Sequence, residues 1–402
     1  MKIQLLVTKG EKLKTCIKID FMSKMNISES DVIPILKKLV QIKTENPPGK
    51  TIEAANYLEE EFQKVGIESR IQEYFEGKAN IIAEFGEGKD TIILTGHLDT
   101  VPAGDEKKWK FPPFEAKEHE GRIYGRGSTD MKGAVAAFVA VMKKLKENQV
   151  KLNQKIIFLG TADEEIGMDG ALVAKNSGIM EGCSFLIIGE PTELQVGIAE
   201  KGTLWVKIKV KGESAHGSTP HLGINAIEAA AQLIQKMKEI IPEYEHEILG
   251  KSTLNIGQIS GGTLINVVPE YCEFKCDYRL VADSLRESVK SKLENLLEAF
   301  NRGNEAKAEM EIIHEIPAIE LTEKNQFFEA MKKKAISAGK ENIIGVNYGT
   351  DGAMLVPEYN TPFVIMGPGK FDQLHVTDEY TVKQEVIDYA NIIYEVLIEN
   401  FA

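Results

Sequence analysis

The stretch KIIFLGTADEEIGMDGALVAKNSGIMEGCSFLII (residues 155–188) decides the predicted fold, because it holds two short apolar runs on either side of a helical segment. KIIFLGTA and CSFLII have the length and apolar content of buried strands, and DGALVAKNSG has the pattern of a short helix. Buried strands that alternate with helices are typical of βαβ units. The stretch therefore predicts an α/β domain with a largely parallel sheet.

The alternation continues on both sides of this stretch. Before it, ANIIAEF and TIILTG are predicted strands, and MKGAVAAFVAVMKKLKENQ is a predicted helix whose lysines lie near its C-terminal end, as the helix dipole favours. Towards the C-terminus, the helices NQFFEAMKKKAISAG and VKQEVIDYANIIYEVLIENF flank the strand TPFVIMG. We therefore predict one α/β domain built from residues 26–202 and 316–402.

The pattern changes near residue 200. There TLWVKIKVKG alternates apolar and polar residues, as expected for a strand in a sheet with one wet face. A helix, two strands, a helix and a strand follow: NAIEAAAQLIQKMKEII, STLNIGQISGG, PEYCEFKCDYRL, SLRESVKSKLENLLEAF and KAEMEIIHEI. This βαββαβ order is that of the ferredoxin-like fold. We predict that residues 203–315 form an α+β domain inserted into the larger one.

The composition limits the classes of partner. The 402 residues include 48 Lys and Arg and 61 Asp and Glu, so the formal net charge is −13. Nucleic acids and anionic membranes are bound through cationic surfaces, so we expect neither partner. No apolar run reaches the ~18 residues of a membrane-spanning helix, and the apolar patch within residues 1–25 is too short for a secretory leader.

The four cysteines do not form a disulfide framework. They are few for a chain of this length, and none has the C-x-x-C spacing of a zinc ribbon or a redox motif. We expect free thiols in a cytoplasmic protein, with residues 1–25 as an N-terminal extension that carries no chemistry.

Side chains of metal-binding types follow the predicted strands of the larger domain. They are His97 and Asp99 after TIILTG, Asp163-Glu164-Glu165 after KIIFLGTA, Glu190 after FLIIG, His375 after FVIMG and a glycine-rich loop, and Asp130 before the MKGAVAAF helix. In an open α/β sheet, ligands bind outside the carboxyl ends of the strands. We therefore expect these distant segments to converge on one site.

The residue types predict a metal centre. Two imidazoles and several carboxylates suit a borderline divalent ion such as zinc, with cobalt or manganese as alternatives. Two adjacent ions need roughly five ligands if one carboxylate bridges them. Asp130 could bridge, with His97 and Glu190 on one ion and Glu165 and His375 on the other.

Two further carboxylates remain beside this ligand set. Asp99 lies two residues after His97, on the same face of an extended chain, and can orient its imidazole. One member of the pair Glu164–Glu165 can serve as general base beside a metal-bound water. The spacing alone leaves open which of these two glutamates faces the metal.

These segments resemble a known family. GHLDTVPAG, GRGSTDMKGA, TADEEIG, GEPT and LHVTDE together resemble the di-zinc amidohydrolases, which include acetylornithine deacetylase, succinyl-diaminopimelate desuccinylase, aminoacylases and glutamate carboxypeptidases. The resemblance covers nearly all of residues 26–402. It implies two metal ions in a catalytic domain, Glu164 as the base and Asp99 as the orienting partner. The ligands that it implies are His97, Asp130, Glu165, Glu190 and His375.

The inserted domain resembles the lid and dimerisation domain of that family, which implies a homodimer. Within GESAHGSTPHLGINA, His216 matches a histidine that reaches an active site, often that of the partner subunit, where an imidazole would stabilise the oxyanion of the tetrahedral intermediate. Asn266 and Arg279 match positions that bind substrate carboxylates, and Gly349 and Thr350 match a turn lining the pocket. From the residues alone, Arg279 could instead pair with an acidic neighbour such as Asp277.

The predicted function is the metal-dependent hydrolysis of the amide bond in a small N-acyl amino acid. A biosynthetic deacylase of the succinyl-diaminopimelate desuccinylase or acetylornithine deacetylase type, serving lysine or arginine biosynthesis, is the first choice. A di-zinc dipeptidase or aminoacylase is the alternative, and a metal-binding module without catalysis is a third reading.

Overall fold

The computed structural model describes residues 26–401, and the predicted N-terminal extension at 1–25 lies outside these described residues. The described chain divides into two compact units. The first contains the chain up to Val196 together with Lys324–Asn342 and the segment from Thr361 onward. The second contains Gly197–Glu323 and Ile343–Asn360, so residues 343–360 group with the second unit although the sequence analysis assigns them to the larger domain.

The helices and strands follow the predicted alternation. The strands are β1 (Glu68–Phe75), β2 (Lys78–Phe85), β3 (Thr91–His97), β4 (Lys117–His119), β5 (Arg122–Tyr124), β6 (Lys155–Thr161), β7 (Cys183–Ile188), β8 (Val196–Glu200), β9 (Gly202–Lys211), β10 (Glu245–His246), β11 (Gly250–Lys251), β12 (Thr253–Gly261), β13 (Tyr271–Leu280), β14 (Lys307–Ile316), β15 (Ile319–Glu320), β16 (Ile343–Val346), β17 (Phe363–Ile365) and β18 (Tyr380–Val382). The α-helices are α1 (Glu29–Gln41), α2 (Ile52–Gln63), α3 (Lys132–Glu147), α4 (Asp169–Asn176), α5 (Ala226–Lys238), α6 (Asp283–Gly303), α7 (Gln326–Ser337), α8 (Gly352–Leu355) and α9 (Lys383–Phe401).

The first unit is a mixed α/β structure around a mostly parallel sheet. Its strands run in the order β1-β2-β6-β3-β7-β17. The β6-β3, β3-β7 and β7-β17 pairs are parallel, whereas β1-β2 and β2-β6 are antiparallel. β3 is buried along its whole length, which explains why TIILTG is apolar without alternation. The predicted α/β class with a largely parallel sheet is confirmed.

Helix α3 packs closely on this sheet because both surfaces carry small residues. A Cβ atom on Gly189 would lie 2.7 Å from the Cβ of Ala134, and one on Gly96 would lie 2.7 Å from the Cε of Met131. Glycine at these two strand ends therefore allows the close approach of the helix. The approach places Asp130, just before α3, beside the end of β3.

The second unit contains a four-stranded antiparallel sheet in the order β12-β13-β9-β14. Alternate residues of β9, such as Leu204 and Ile208, are buried in a core shared with α5 and α6, while Lys207 and Lys209 lie on the other face. The four strands of this sheet and the two helices follow one another in the predicted order, but the structure adds the two-residue strands β10 and β11 between α5 and β12. The role of this unit as a lid stays a prediction.

The remaining strands of the second unit position the turn that precedes α8. β8 pairs antiparallel with β15, and the backbone N–H of Lys201 donates to the carbonyl of Val346 at the end of β16.

None of the helices within residues 26–401 combines the length and the apolar character that crossing a membrane requires.

Candidate metal centre

Five predicted ligands lie together in the first unit, at the carboxyl end of its sheet. His97 is the last residue of β3, Glu165 follows β6, and Glu190 follows β7. Asp130 precedes α3, and His375 lies in the loop between β17 and β18. The convergence follows from the parallel strands, because their carboxyl ends share one edge of the sheet.

The first group of donors consists of His97, Asp130 and Glu190, and all three are buried. The Nε2 atom of His97 lies 3.0 Å from Oδ1 of Asp130 and 3.7 Å from Oε1 of Glu190. One ligand atom from each residue lies within 4.8 Å of the others. An imidazole and two carboxylates at this spacing can hold one divalent cation.

The second group consists of Asp130, Glu165 and His375. The Nε2 atom of His375 lies 3.1 Å from Oε2 of Glu165 and 3.3 Å from Oδ2 of Asp130. Asp130 belongs to both groups and directs one carboxylate oxygen at each imidazole. This arrangement suits a bridging carboxylate between two cations, and the mixed nitrogen and oxygen donors fit a borderline metal.

The carboxylates control the protonation of both imidazoles. Hydrogen bonds to Asp130 and Glu165 raise the pKa of His375 to about 10. Burial alone would lower the pKa of His97, but its hydrogen bond to Asp130 and the charge of Glu190 raise the pKa well above its usual value. Metal ions compete with these protons, since a ligand imidazole must be neutral. The buried acidic cluster thus attracts cations, whether protons or metal ions.

Asp99 is fully buried beside His97, but its carboxylate binds other groups. The Nδ1 atom of His97 lies 2.9 Å from the backbone carbonyl oxygen of Asp99 and 3.8 Å from Oδ1 of its carboxylate. The carboxylate instead accepts the backbone N–H groups of Glu164 at 3.2 Å and Glu165 at 3.3 Å. Asp99 thus contacts both the imidazole and the loop of the candidate base.

Glu164 and Glu165 differ in their surroundings. The carboxylate of Glu165 reaches the imidazole of His375 and also accepts the backbone N–H of Val101 at 3.1 Å. Glu164 is half-buried, and its charge contributes to the raised pKa of His97. Glu165 is therefore the member of the pair within reach of the second cation position, and Glu164 lies beside the cluster.

Glu379, which the sequence analysis did not single out, holds the Asp130 loop in place. Its buried carboxylate accepts the backbone N–H groups of Gly127, Thr129 and Asp130 at 2.9, 2.8 and 3.1 Å. It also pairs with Arg126 at 2.7 Å. The LHVTDE motif contains this glutamate, but a motif does not say whether a carboxylate faces a metal or a backbone.

Two residues of this site adopt left-handed backbone conformations. His375 has a φ of 57° and Asp163, directly before Glu164, has a φ of 62°. Such conformations cost of order 1–3 kcal/mol in residues other than glycine, and they cluster at functional sites where the surroundings impose them.

His216 and Asn266, both predicted to contact substrate, come together in the second unit. Both are exposed, and their loops are joined by a hydrogen bond of 2.8 Å from the N–H of Gly217 to the carbonyl of Asn266. The Nδ1 atom of His216 lies 2.7 Å from the hydroxyl oxygen of Ser218 and accepts the backbone N–H of the same residue at 3.2 Å. Both contacts of the ring within this loop therefore use Nδ1.

Arg279 makes contacts within its own sheet. Its Nε donates to the carboxylate of Asp277, with 3.0 Å to Oδ1 and 3.1 Å to Oδ2, and its Nη1 donates to Oγ1 of Thr203 at 3.0 Å. Asp277 precedes Arg279 by two residues on β13, so both side chains lie on the same face of the sheet. The structure therefore contains the pair between Arg279 and Asp277, which is the alternative that the sequence left open for this arginine.

Thr350 is fully buried against Glu200, and Gly349 directly precedes it. The hydroxyl of Thr350 donates to Oε2 of Glu200 at 2.6 Å, and its backbone N–H donates to Oε1 at 3.2 Å. Burial raises the pKa of Glu200 to about 8. Gly349, Thr350 and Glu200 lie in the second unit, whereas the five predicted ligands lie in the first.

Comparisons with known proteins identify relatives of the chain. The sequence model described as "Peptidase family M20/M25/M40" matches residues 93–399. A "Probable succinyl-diaminopimelate desuccinylase" from Staphylococcus epidermidis (strain ATCC 12228 / FDA PCI 1200) is 30% identical over 400 residues, covering 92% of this chain and 98% of the relative. An acetylornithine deacetylase from Pasteurella multocida (strain Pm70) is 34% identical over 336 residues, covering 81% and 84%.

A solved structure shares the fold. The crystal structure of a tripeptidase from Staphylococcus aureus subsp. aureus Mu50 superposes with a TM-score of 0.79, at 24% identity, over 93% of this chain and 98% of that one. At this identity the likeness concerns the fold alone.

Proposed function

Because the chain belongs to peptidase family M20/M25/M40 and is a hydrolytic enzyme that acts on amides, we propose that it deacylates a small N-acyl amino acid. The products are a carboxylate and a free amine. The names of the two relatives favour a biosynthetic deacylase of the desuccinylase or acetylornithine deacetylase type, in lysine or arginine biosynthesis.

One observation carries this proposal. Two groups of donors share Asp130, and Glu164 lies beside them without belonging to either group. Two cations with a shared carboxylate and a separate carboxylate base are one arrangement that supports metal-assisted amide hydrolysis.

His97, Asp130 and Glu190 would hold one divalent cation, and Asp130, Glu165 and His375 the other. When bound, the cations supply Lewis-acid polarisation of the acyl carbonyl and a water of lowered pKa. Zinc is the ion that we propose, because imidazole and carboxylate donors suit it, with cobalt or manganese as functional substitutes.

The chain's own residues would move the protons. Glu164 takes a proton from the attacking water as the oxygen adds to the acyl carbon. Glu164 then gives that proton to the amine nitrogen as the carbon–nitrogen bond breaks. The imidazole of His216 donates a hydrogen bond to the oxyanion of the tetrahedral intermediate. Asp99 keeps the loop of Glu164 and the imidazole of His97 in position.

Substrate recognition is proposed for the second unit. Asn266 and Arg279 would bind a substrate carboxylate, since a guanidinium can pair with both oxygens, and Gly349 and Thr350 would line the pocket. For Arg279 this role requires that Asp277 release or share the guanidinium, which it now contacts at 3.0 Å.

We also propose a homodimer formed through the second unit. β12 lies at the edge of the four-stranded sheet, and the side chains of Ile259, Leu264 and Ile265 on and after it are strongly exposed. Exposed strand edges and apolar patches are typical of interaction surfaces. Light scattering on the purified protein tests this, and a monomeric mass at micromolar concentration contradicts it.

A substrate panel tests the proposed activity. The protein is stripped of metal, reloaded with zinc or cobalt, and assayed for amine release from N-succinyl and N-acetyl diamino acids, N-acyl neutral amino acids and dipeptides. We expect the acylated diamino acids to be hydrolysed fastest. Faster cleavage of dipeptides or neutral N-acyl amino acids would favour the dipeptidase or aminoacylase reading, and metal binding without hydrolysis would favour a non-catalytic module.

A further inference from the structure

A buried asparagine lies between the two loops that carry the ends of β3 and β6. Asn46 follows α1 in the turn NPPG, and its side chain is almost completely buried. Its Nδ2 atom donates to Oδ2 of Asp99 at 2.8 Å and to Oδ1 of Asp163 at 2.8 Å. Each amide hydrogen therefore makes one hydrogen bond, one to the loop after β3 and the other to the loop after β6.

The orientation of this amide follows from its partners. Both neighbouring atoms are carboxylate oxygens, so an amide oxygen in place of the nitrogen would face two acceptors without a donor. Within residues 26–401, the Oδ1 atom of Asn46 is buried and has no hydrogen-bond partner. The side chain of Asn46 therefore contributes two hydrogen-bond donors to these contacts.

Main-chain contacts place Asn46 against the β3 loop. Its backbone N–H donates to the carbonyl of Thr100 at 2.8 Å, and the N–H of Thr100 donates to the carbonyl of Thr44 at 3.1 Å. Gly49 lies against the amide, since a Cβ there would be 2.6 Å from the Cγ of Asn46. The main-chain hydrogen bonds and Gly49 therefore position the side-chain amide independently of its hydrogen bonds to the two carboxylates.

The second partner, Asp163, controls the start of the Glu164–Glu165 loop. Its carboxylate also accepts hydrogen bonds from Nζ of Lys78, at 2.7 Å to Oδ1 and 2.9 Å to Oδ2, and from the hydroxyl of Tyr74 at 2.8 Å. Its left-handed backbone turns the chain directly before Glu164. Four hydrogen bonds from three side chains therefore determine where this turn lies.

Asn46 thus connects two carboxylates that each act on the site. Asp99 accepts the N–H groups of Glu164 and Glu165, and Asp163 sets the direction of the chain entering them. Two buried carboxylates side by side repel each other, and a neutral group with two donors satisfies both without adding a charge.

We propose that Asn46 is a positioning residue, which holds the Glu164–Glu165 loop in register with His97 by bridging Asp99 and Asp163. The role rests on the proposed function, because it acts through the candidate base and the ligand Glu165. From the sequence alone, Asn46 is predicted only as part of a turn.

Two substitutions test the role. Asn46→Asp keeps the shape and replaces the two donors by acceptors, and Asn46→Ala removes the donors without adding a charge. Asn391→Ala is the matched control, because the side-chain amide of Asn391 on α9 also joins two segments of the first unit, through hydrogen bonds with the backbone of Ile27 rather than with a site residue. A change confined to fold stability should appear in all three variants.

The readouts separate positioning from stability. Metal-free protein is titrated with Co²⁺ and followed by visible absorption and calorimetry, alongside thermal unfolding and steady-state kinetics. We expect both Asn46 variants to bind cobalt about 10–100-fold more weakly, with altered absorption bands, and kcat to fall while KM changes little. The Asn391→Ala variant should lower only the melting temperature.

The result that would overturn the role is an Asn46→Ala protein that is folded and keeps wild-type cobalt affinity, absorption bands and kcat. Cobalt binding by the wild-type protein without hydrolysis of any acyl substrate would contradict the proposed function instead. The two failures are distinguishable, because cobalt affinity is measured without turnover.

Discussion

The candidate metal centre and the loops that carry His216 and Asn266 are built in opposite ways. In the first unit, His97, Asp130 and Glu190 are buried, and the loops beside them are tied by further hydrogen bonds, as Glu379 shows for Asp130. In the second unit, His216 and Asn266 are exposed on loops. The metal donors are held in place by the first unit, whereas the side chains of His216 and Asn266 are not enclosed by the second unit.

The two units are therefore suited to different parts of the proposed chemistry. Bringing several charged groups together in a buried site is costly unless they are paired and hydrogen-bonded, so the metal centre needs a rigid surround. The proposed donor for the oxyanion, His216, is exposed instead, and this role does not need a buried surround. Substitutions in the two units should therefore have separable effects.

The largest expected effect breaks the chemistry but leaves the metal centre assembled. Glu164→Gln should lower kcat by about 10²–10⁴-fold, because the amide cannot accept the proton of the attacking water. Metal content, measured by elemental analysis, should match that of the wild-type protein. A variant with near-normal kcat would show that Glu164 is not the base.

A smaller effect is expected from the exposed histidine of the second unit. His216→Ala should reduce kcat by about 10²–10³-fold through loss of oxyanion stabilisation, while cobalt affinity stays unchanged. His221→Ala, at another exposed histidine of the same loop region, is the control and should keep full kcat. If His216→Ala weakens cobalt binding as strongly as it lowers kcat, the separation between the units fails.

The smallest expected effect is on stability and concerns Glu200, a buried carboxylate of the second unit. The folded-state pKa of Glu200 is about 8, above its ordinary 4.5, so the folded protein keeps a proton that the unfolded chain releases. This stabilisation is complete below pH 4.5 and is lost as the pH rises through about 8.

Glu200→Gln should remove that dependence, because a glutamine resembles the protonated acid. In the wild-type protein this group should lower the free energy of unfolding by up to about 1.4 kcal/mol per pH unit across the window. Urea unfolding of both proteins at pH 5, 7 and 9 measures the difference. Parallel curves for the two proteins would contradict a protonated Glu200.

Much of the fold, and the convergence of the five metal-binding side chains, could be predicted because both follow from local patterns. Uniformly apolar runs such as TIILTG indicated buried parallel strands, and the positions after them indicated the site. Asn46 and Glu379 were not predicted as site residues. Their contacts with Asp99, Asp163 and the Asp130 loop join segments that are far apart in sequence, and no spacing rule encodes such contacts.

The grouping of residues 343–360 shows the same limit. The alternation of predicted elements assigned them to the larger domain, yet they group with the second unit, where the N–H of Thr350 donates to Glu200. A boundary of this kind depends on long-range packing, which hydrophobic periodicity does not report.

Local patterns in the sequence were enough to predict the α/β class, the change to alternating strands near residue 200 and the residue types gathered at the strand ends, because periodicity and composition are local properties of the chain. Only the tertiary structure decided that Asp130 turns one oxygen to each imidazole, that Glu165 rather than Glu164 reaches His375, and that Arg279 contacts Asp277. The reason is physical: these choices depend on side-chain directions at the meeting of separate loops, which packing and hydrogen bonding set together.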